Sequence, residues 1–384
     1  MRILIVNYEY PPVGGGAATA AEAIAKELVQ LGHHACVLTG GFKGLPSHGA
    51  ENGITVRRLP SFRRAIDRSG IWEMLSFLIV ALVMGPRIIR KARIERCLVF
   101  FSLPCGPIAL LARWVLGVPY VVTLRGGDVP GTEPSLNLIH RLLAPLRRAV
   151  LRNSISIVAN SEGLQKMSET ADPYPVRVIP NGVDTDLFKP PTRKEPAGAL
   201  RVLFVGRFQP QKNLPYLFKQ IAQLAKGTFE LHLAGDGPQR ERLERAAREL
   251  GIADAVIWHG WLPRELMPRL YHSVDCLVNP SLYEGMPNVV LEAMACALPV
   301  IASNVPGNAA LVLDGENGLL FDLRDNPAGF ITALNRLRDV DLRRRMGESA
   351  RERACKFSWE NVAAQYVDLL SSVSTKMNDE KGTI

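Results

Sequence analysis

The chain has 384 residues, which exceeds the size of a typical single domain and favours two domains with separate cores. Its formal net charge of +9 indicates an anionic partner, such as a nucleotide, a nucleic acid or a lipid surface. Aromatic residues make up only 7% of the chain and no recognition-helix or base-stacking motif is evident, which argues against a nucleic-acid-binding protein.

Six cysteines are scattered along the chain without the paired spacing of a metal site. We expect them to be buried, reduced thiols in a cytosolic protein. The first residues run directly into a strand pattern, without the apolar core and small-residue cleavage site of a signal peptide, so we expect no secretion.

The first half of the chain alternates short apolar, β-branched runs with longer helical patterns. This alternation predicts βαβ units and a parallel sheet that is buried on both faces. The predicted strands cover residues 3–6, 35–38, 97–101, 120–124 and 156–159.

A glycine-rich loop, residues 14–16, follows the first predicted strand and precedes a helix pattern that starts at Ala17. Glycines here let a ligand or another backbone approach closely. The loop is long, contains Pro11 and Pro12, and lacks the G-x-G-x-x-G spacing, so a dehydrogenase is disfavoured. The alternative interpretation is a flexible turn that binds nothing.

A basic and apolar stretch covers residues 57–96. Its uncharged centre, the thirteen residues 74–86, is shorter than the ~20 residues that cross a bilayer, so we expect no transmembrane span. Two interpretations remain open: a buried core helix, or a patch that rests on anionic lipid with Trp72 and Phe77 at the interface. The flanking cations are Arg57, Arg58, Arg63, Arg64 and Arg68 on one side and Arg87, Arg90, Lys91, Arg93 and Arg96 on the other.

A segment rich in proline and charge, residues 189–198, interrupts the alternation and predicts a linker. The strand pattern then restarts at 202–205, 230–234, 256–258, 276–278, 300–302 and 319–321. We therefore predict a first domain over 1–190 and a second over 198–357, both doubly wound, with a helix over 358–374 that packs back on the first domain. The carboxyl ends of two such sheets form ligand sites, which predicts a cleft between the domains.

Two cations lie in the turn after the first strand of the second domain. Arg207 and Lys212 flank this turn, where a diphosphate would need positive charge. The chain has no D-x-D pair in a suitable loop and no His cluster with ligand spacing, so we expect a reaction that needs no metal ion. The alternative is that both cations are ordinary solvated loop charges.

Two glutamates, Glu284 and Glu292, lie eight positions apart in the segment 281–292. Pro287 is suited to the first turn of a helix, so the backbone N–H groups of Gly285 and Met286 would form an anion-binding helix end. One carboxylate could then meet the ligand on each side of a phosphate, as in a nucleotide sugar. The alternative is an ordinary amphipathic helix with an acidic residue in its first turn.

Taken together, these segments resemble the retaining glycosyltransferases of family 4, also called group 1, which have the GT-B fold. The resemblance spans nearly the whole chain and depends on the order and spacing of several short motifs. These motifs are residues 14–16, residues 180–184, Gly206 with Arg207, Lys212 with Asn213, residues 235–238, and the two glutamates. It implies two Rossmann-like parallel-sheet domains that face an interdomain cleft, with the donor held mainly by the second and the acceptor by the first.

The family pattern assigns roles by position. It makes Glu292 a ligand of the donor ribose, Glu284 a contact to the donor sugar, and Arg207 with Lys212 the diphosphate clamp that stabilises the leaving group. Glu284, Arg207 and Lys212 are thus the expected catalytic set, with front-face attack by the acceptor. The expected donor-binding residues are Gly15, Gly16, Gly285, Met286, Pro287, Asn288 and Glu292.

One departure from the family pattern concerns the acceptor or sugar side of the site. Many relatives have a His where this chain has Arg125, and Arg cannot act as a base at neutral pH. An anionic donor or acceptor is therefore favoured. Asp128 is the other candidate there; it either contacts an acceptor hydroxyl or forms a turn-stabilising salt bridge with Arg125.

The expected function is transfer of a hexosyl unit from a nucleotide-diphospho-sugar to a lipid-linked saccharide or an envelope polysaccharide. A UDP-sugar is favoured as donor, with GDP-mannose as an alternative. The expected location is the cytoplasm, with peripheral contact to the inner face of the cytoplasmic membrane through 57–96. Two other functions stay open: a GT-B sugar-nucleotide epimerase and a non-catalytic protein that binds sugar nucleotides.

Overall fold

The computed structural model describes residues 1–65, 69–132, 136–191, 198–324 and 329–372. The chain divides into two compact units: Met1–Asn181 together with the segment from Trp359 onward, and Gly182–Ser358. The division lies upstream of the predicted linker, of which residues 192–197 fall outside the described ranges. The physical reason is that Val183 and Phe188 are buried in the core of the second unit, although they precede the proline-rich segment.

The first unit is built on an eight-stranded sheet in the order β3-β4-β2-β1-β5-β6-β7-β8. Every neighbouring pair is parallel except β3 with β4, which is antiparallel. The central strands are buried on both faces because helices cover them, which explains their continuous apolar runs. The strands are β1 (Arg2–Val6), β2 (His34–Gly40), β3 (His48–Glu51), β4 (Ile54–Leu59), β5 (Arg96–Phe100), β6 (Tyr120–Leu124), β7 (Ser156–Ala159) and β8 (Val176–Val178).

The helices of the first unit follow the strands in alternation. They are α1 (Gly16–Gln30), α2 (Ile71–Lys91), α3 (Gly106–Leu116), α4 (Asn137–Leu142), α5 (Ala144–Arg152) and α6 (Glu162–Ala171). Helix α2 packs beside α3, and Gly85 permits the close approach because a Cβ there would lie 3.3 Å from Cγ2 of Ile108.

Helix α2 is longer and more exposed than a core helix. It continues through Pro86 to a length of 21 residues, so by length and composition it could cross a membrane, and only 17% of its most apolar window is buried. The helix thus extends beyond its thirteen-residue uncharged centre. Phe77, which the membrane alternative places at the lipid interface, is instead buried. One stripe, Phe77, Ala81, Gly85 and Ile89, packs inward, whereas the opposite face stays exposed.

The second unit is built on a six-stranded parallel sheet in the order β11-β10-β9-β12-β13-β14. Its strands are β9 (Leu200–Val205), β10 (Phe229–Ala234), β11 (Val256–Gly260), β12 (Cys276–Asn279), β13 (Val300–Ser303) and β14 (Gly318–Phe321). Its helices are α7 (Leu214–Ile221), α8 (Arg240–Glu249), α9 (Met267–Ser273), α10 (Asn288–Ala295), α11 (Pro306–Ala309), α12 (Gly329–Arg336) and α13 (Val340–Cys355). Two apolar layers, one on each face of the sheet, form its core.

The last described helix, α14 (Trp359–Ser371), belongs to the first unit. It packs on α1, and the Tyr366 hydroxyl donates to Oγ1 of Thr123 on β6 at 3.1 Å. Residues 373–374 of the predicted helix lie outside the described ranges. Five of the six cysteines are buried as expected, whereas Cys355 at the end of α13 is exposed, so the expectation is wrong for that residue.

Candidate active site

The first part of the candidate site is the pair of loops that follow β9 and β10 at the carboxyl edge of the second sheet. The loops touch backbone to backbone, since a Cβ at Gly235 would lie only 2.0 Å from the Gly206 carbonyl oxygen. Gly235 also has a φ of +132°, which L side chains rarely adopt. Glycine is thus required at position 235 by this close approach, which fixes the loop that carries Arg207 and Lys212.

Lys212 lies at the end of a single 3₁₀ turn, Pro210–Lys212, and Asn213 in the left-handed region (φ 54°) leads into α7. This geometry directs the ammonium group toward the neighbouring loop. Its Nζ lies 2.6 Å from Oε1 of Glu284, in an ion pair whose side chains are 15% and 7% exposed. The structure therefore brings together two residues that are 72 positions apart.

Glu284 is held by a buried polar network as well as by Lys212. The Ser281 hydroxyl lies 2.7 Å from Oε1 of Glu284 and 2.6 Å from Oδ1 of Asn279. The Asn279 amide donates to Oδ1 of Asn308 at 3.0 Å, and the Asn308 amide donates to the Ser303 carbonyl at 2.9 Å. Because these bonds all involve Oε1 of Glu284 or its supports, the second carboxylate oxygen remains available to accept from a ligand hydroxyl.

Helix α11 supports the same loop through its backbone. A Cβ at Gly307 would lie 2.5 Å from the Glu284 carbonyl oxygen and 2.6 Å from that of Gly285. Only glycine fits at this distance without a shift of the loop or the helix. The position of Glu284 therefore depends on main-chain contact with α11 as well as on side-chain hydrogen bonds.

The start of α10 differs from its predicted form. The helix begins at Asn288, with Pro287 as its N-cap residue (φ −77°, ψ 107°), so Gly285 and Met286 lie in the loop before the helix. Pro287 accepts the first helical bond, from the N–H of Val290 at 3.1 Å. The expectation that Pro287 lies in the first helical turn is therefore wrong, and the first N–H groups of α10 belong to Asn288 and Val289. Gly285 and Met286 lie in the loop just before this helix end.

Glu292 lies on the second turn of α10 and faces α9. Its Oε2 accepts from the Tyr271 hydroxyl at 2.9 Å. Burial raises the pKa of Glu292 to about 7, while the nearby Arg264 and the Tyr271 hydrogen bond act in the opposite direction. Hydroxyl donors of a bound ligand would stabilise the charged form of this carboxyl group.

The other donor-side candidates lie on the same two loops or at the first turn of α10. Arg207 follows Gly206 directly and is partly exposed, and Gln211 ties its loop to the glutamate loop by donating to the Tyr283 carbonyl at 2.8 Å. Met286 is buried and Asn288 is partly exposed. In the second unit, therefore, the predicted site residues lie on the loops after β9 and β12 and on α10. They are Arg207, Lys212, Glu284, Gly285, Met286, Pro287, Asn288 and Glu292.

Gly15, Gly16, Arg125 and Asp128 belong to the first unit. Gly15 is the N-cap residue of α1 and Gly16 its first residue, one position earlier than predicted. A Cβ at Gly15 would meet no atom within 4 Å, so the space beside this loop is open.

Arg125 and Asp128 lie in the loop after β6 at the carboxyl edge of the first sheet. The carboxylate of Asp128 accepts backbone N–H groups, from Arg125 at 2.9 Å and from Ser102 at 2.6 Å. The guanidinium of Arg125 instead donates to Oδ1 of Asn181 at 2.6 Å and stacks over Phe100. Asp128 thus stabilises the turn, but through the backbone, and the expected side-chain salt bridge is not formed.

Sequence reasoning missed the residues that support the two glutamates. Asn279, Ser303 and Asn308 come from β12, β13 and α11, and their side chains meet only in the fold. Tyr271, the partner of Glu292, was likewise not predicted. The only sequence signal was weak: each of Asn279 and Ser303 is a polar residue at the end of a buried apolar strand, which is where parallel sheets place ligand sites.

Comparison with known proteins places this site in a family. Residues 14–187 match the sequence model described as Glycosyltransferase Family 4, and residues 199–339 match that of Glycosyl transferases group 1. A D-inositol 3-phosphate glycosyltransferase from Thermomonospora curvata is 31% identical over 71% of this chain and 70% of that protein. The chain belongs to glycosyltransferase family 4.

Other relatives of this family 4 glycosyltransferase carry related descriptions. A D-inositol 3-phosphate glycosyltransferase from Acidothermus cellulolyticus is 36% identical over 67% of this chain, and the match spans 62% of that protein, less than two thirds of its length. The lipopolysaccharide core biosynthesis glycosyltransferase LpsE from Rhizobium meliloti is 34% identical over 59% of this chain and 67% of that protein.

Solved structures establish the fold of this glycosyltransferase as GT-B. Sucrose-phosphate synthase from Thermosynechococcus elongatus superposes with a TM-score of 0.84 at 24% identity, covering 98% of this chain and all of that chain. The Anabaena protein Alr3699/HepE in complex with UDP-glucose has a TM-score of 0.74 at 20% identity, covering 97% of this chain and all of that chain. The family and the fold confirm the predicted enzyme class.

Proposed function

We propose that this glycosyltransferase transfers a hexosyl unit, with retention, from a nucleotide-diphospho-sugar to a saccharide acceptor. The observation that carries the proposal is the Lys212–Glu284 ion pair at the carboxyl edge of the second sheet, where the loop that carries Lys212 also carries Arg207. It places a cation suited to a diphosphate against a carboxylate suited to sugar hydroxyls. A nucleotide sugar has both groups next to each other.

Each residue then has a chemical role. Lys212 and Arg207 hold the diphosphate and stabilise the negative charge that develops as the bond from C1 to the β-phosphate oxygen breaks. Glu284, held through Oε1, accepts from a hydroxyl of the donor sugar through Oε2. Glu292 accepts from the ribose hydroxyls, while Gly285 to Asn288 lie along the phosphates.

The bond changes follow from retention without an enzyme nucleophile. The acceptor hydroxyl oxygen attacks C1 from the face that the phosphate leaves, the bonding electrons of C1 go to the phosphate oxygen, and that oxygen takes the hydroxyl proton. The charge of the departing phosphate is met by Lys212 and Arg207 rather than by a metal ion, which is why we propose a metal-independent reaction. The favoured donor is a UDP-sugar, as in the solved Anabaena complex, with GDP-mannose as the alternative.

The experiment that tests the donor site is a thermal-shift panel of UDP-, GDP- and ADP-sugars on the whole protein, with and without EDTA. A bound donor raises the melting temperature by mass action. We expect Glu284→Gln to lower kcat by about a hundredfold or more and to leave the nucleotide Kd within about threefold, because the sugar contact matters most in the transition state. If none of the sugars shifts the melting temperature, the donor assignment is wrong.

Product analysis separates transfer from the other activities. Incubation with donor alone should release no epimerised sugar, whereas addition of acceptor should consume donor and yield one glycoside. Epimerisation of the donor sugar without acceptor would show that the protein is an epimerase. Donor binding without turnover on any acceptor would indicate a non-catalytic sugar-nucleotide sensor.

We propose further that the acceptor is a lipid-linked saccharide or an envelope polysaccharide, and that the first unit rests on the inner face of the cytoplasmic membrane. The support is the outer face of α2, where Trp72 is 81% exposed and Ile79 and Val83 are also exposed. Four exposed cations, Arg87, Arg90, Lys91 and Arg93, follow along the helix and its end. Exposed apolar side chains beside cations are typical of helices that lie on anionic lipid.

Two members of the predicted basic stretch do not belong to this surface. Arg58 and Arg63 are buried, and Arg63 pairs with Glu9 at 3.1 Å; Arg68 lies outside the described residues.

The test of the membrane proposal is flotation with vesicles of phosphatidylglycerol or phosphatidylcholine. We expect the wild type to bind only the anionic phosphatidylglycerol vesicles. The triple variant Trp72→Ser, Arg87→Gln, Arg90→Gln should lose this binding. The control Arg242→Gln, an exposed change in the second unit, should keep it. Equal flotation of all variants would contradict the membrane proposal.

A further inference from the structure

Arg125 is a largely buried cation with no carboxylate partner in the part of the chain that the structure describes. Other inward-facing arginines have one: Arg63 pairs with Glu9, Arg147 with Asp172, and Arg201 with Asp275. Burying a charge without a counter-charge is costly, so such groups are normally paired. Arg125 departs from this pattern.

Among the described residues, the guanidinium group of Arg125 contacts neutral groups. Nη1 donates to the amide oxygen of Asn181 at 2.6 Å, and Cζ lies 4.4 Å from the centre of the Phe100 ring. Its Nε is buried and has no acceptor among the described residues. Burial lowers the pKa of Arg125, while Tyr366 and Asp128 act in the opposite direction. The Asp128 carboxylate accepts two backbone N–H groups and does not bond the guanidinium. The guanidinium is thus oriented, but its charge is not neutralised.

The surroundings of Arg125 are suited to a ligand. Strands β6 and β7 are in register at Leu124 and Ala159, so Arg125 and Asn160 are the next residues along the same sheet edge. The Oδ1 atom of Asn160 is buried and has no donor among the described residues. A Cβ at Gly126 or Gly127 would meet no atom within 4 Å, so open space lies beside the guanidinium loop.

We propose that Arg125 is the receptor for an anionic group, a phosphate or a carboxylate, carried by the saccharide substrate, with Asn160 accepting from a neighbouring hydroxyl. This inference rests on the proposed function and adds the charge of the substrate to it. A guanidinium binds either anion through paired N–H donors. The anion comes either from the acceptor, as a sugar phosphate, or from the donor, as a uronic acid.

Matched substrate pairs decide between these two sources. The donor pair is UDP-glucose and UDP-glucuronate, and each neutral acceptor is paired with its phosphorylated form. We expect the wild type to prefer the charged member of one pair by about tenfold or more in kcat/KM, as for a site that recognises an ionic group. A preference in the acceptor pair assigns the anion to the acceptor, and one in the donor pair assigns it to the donor.

The variants are Arg125→Gln, Arg125→Lys and Asn160→Ala, with Arg177→Gln on β8 as an exposed arginine control from the same unit. Arg125→Gln should abolish the preference for the charged substrate, Arg125→Lys should keep part of it, and Arg177→Gln should not change it. Because the glutamine variant loses a buried, unpaired charge, its melting temperature should be equal to or higher than that of the wild type. A lower melting temperature with an unchanged preference would mean that Arg125 is only structural.

A binding measurement without turnover keeps this inference separate from the proposed function. Inorganic phosphate, compared with chloride at equal ionic strength, should raise the melting temperature of the wild type and Arg177→Gln more than that of Arg125→Gln. An equal shift in all three proteins would place any anion site elsewhere and overturn the inference, even if UDP-sugars bind. Failure of every UDP-, GDP- and ADP-sugar to bind would instead overturn the donor assignment, whatever phosphate does.

Discussion

At the scale of single residues, the position of Glu284 depends on the buried amide side chain of Asn308. Asn308 is fully buried, accepts from Asn279 at 3.0 Å and donates to the Ser303 carbonyl at 2.9 Å. Asn279 and Ser281 pass this constraint to the carboxylate. Asn308 is therefore a positioning residue, since it acts on Glu284 through two intermediates.

The change Asn308→Ala should lower kcat by about tenfold to a hundredfold, because small displacements of a group that contacts the transition state are costly. The nucleotide Kd should change by less than about threefold, since the phosphate clamp lies on the other loop. Stability should fall by about 1–3 kcal/mol because buried partners lose their hydrogen bonds. Steady-state kinetics measure kcat, UDP titration measures the nucleotide Kd, and denaturant unfolding measures the stability. The control is Asn304→Ala, an exposed amide nearby that donates to Asp322; an equal kcat for the two variants would refute the positioning role.

A second residue-scale prediction concerns the pair His232 and His259 on β10 and β11. Nδ1 of His232 lies 3.0 Å from Nε2 of His259, and the rings are stacked. Burial lowers the pKa of both; the proximity of His259 lowers that of His232 further, as does Arg201 on β9, while Glu230 raises it. The folded state therefore binds fewer protons than the unfolded state once the pH falls below the ordinary pKa of about 6.5, so stability is lost as the pH falls.

We expect the melting temperature to fall between pH 7.5 and pH 5 in the wild type, and to fall less in His259→Asn. The exposed His48→Asn serves as control and should follow the wild type. Thermal unfolding by circular dichroism across this range measures the difference. Parallel curves for all three proteins would show that the pair does not contribute to the pH dependence.

At the scale of elements, the apolar runs predicted most strands of the two sheets. All eleven predicted strands occur, and two of them, 120–124 and 156–159, have the predicted bounds. The strands that were missed are β3, β4 and β8. β3 and β8 are short edge strands, and β4 carries Arg57 and Arg58 beside β3, so none has the long apolar run that marks a strand buried on both faces.

The details of the site were less predictable because they depend on contacts between elements. Lys212 and Glu284 could be proposed for one site from their positions after two strands of the same sheet. Their direct ion pair could not, and neither could the support from α11, which follows a different strand. The start of α10 was misplaced because proline is favoured both at the first helical position and in the extended residue before it.

The contact of α11 with the glutamate loop leads to an element-scale prediction. In Gly307→Ala, the new Cβ would meet the carbonyl oxygens of Glu284 and Gly285 at 2.5 Å and 2.6 Å, so the loop must move. We expect a loss of activity of about tenfold or more with a smaller effect on the fold, because the loop is displaced while the sheet is not. Gly198→Ala, where a Cβ meets nothing within 4 Å, is the matched control in the same unit. Full activity of Gly307→Ala in kinetic assays would disprove the prediction.

At the scale of the whole molecule, the chain passes between the two units twice, after Asn181 and after Ser358. The second passage returns α14 to the first unit, where Trp359, Tyr366 and Leu370 are buried among residues of α1 and the sheet. Removal of this helix would expose a face of the first core while leaving the second unit, which ends at Ser358, intact. The stability of the first unit thus depends on the last described part of the chain.

Truncation tests this dependence. A chain that ends at Ser358 loses about 1.5–3 kcal/mol for each large apolar side chain of α14 that is buried, which is comparable to the whole stability of a domain. We expect calorimetry to show loss of the unfolding transition of the first unit, and hydrogen exchange to show loss of protection in peptides from β1 and α1 but not from β9 or β12. A chain that ends at Ser372 keeps α14 and should unfold like the full-length protein. Retained protection of β1 in the shorter chain would mean that the first unit folds without α14.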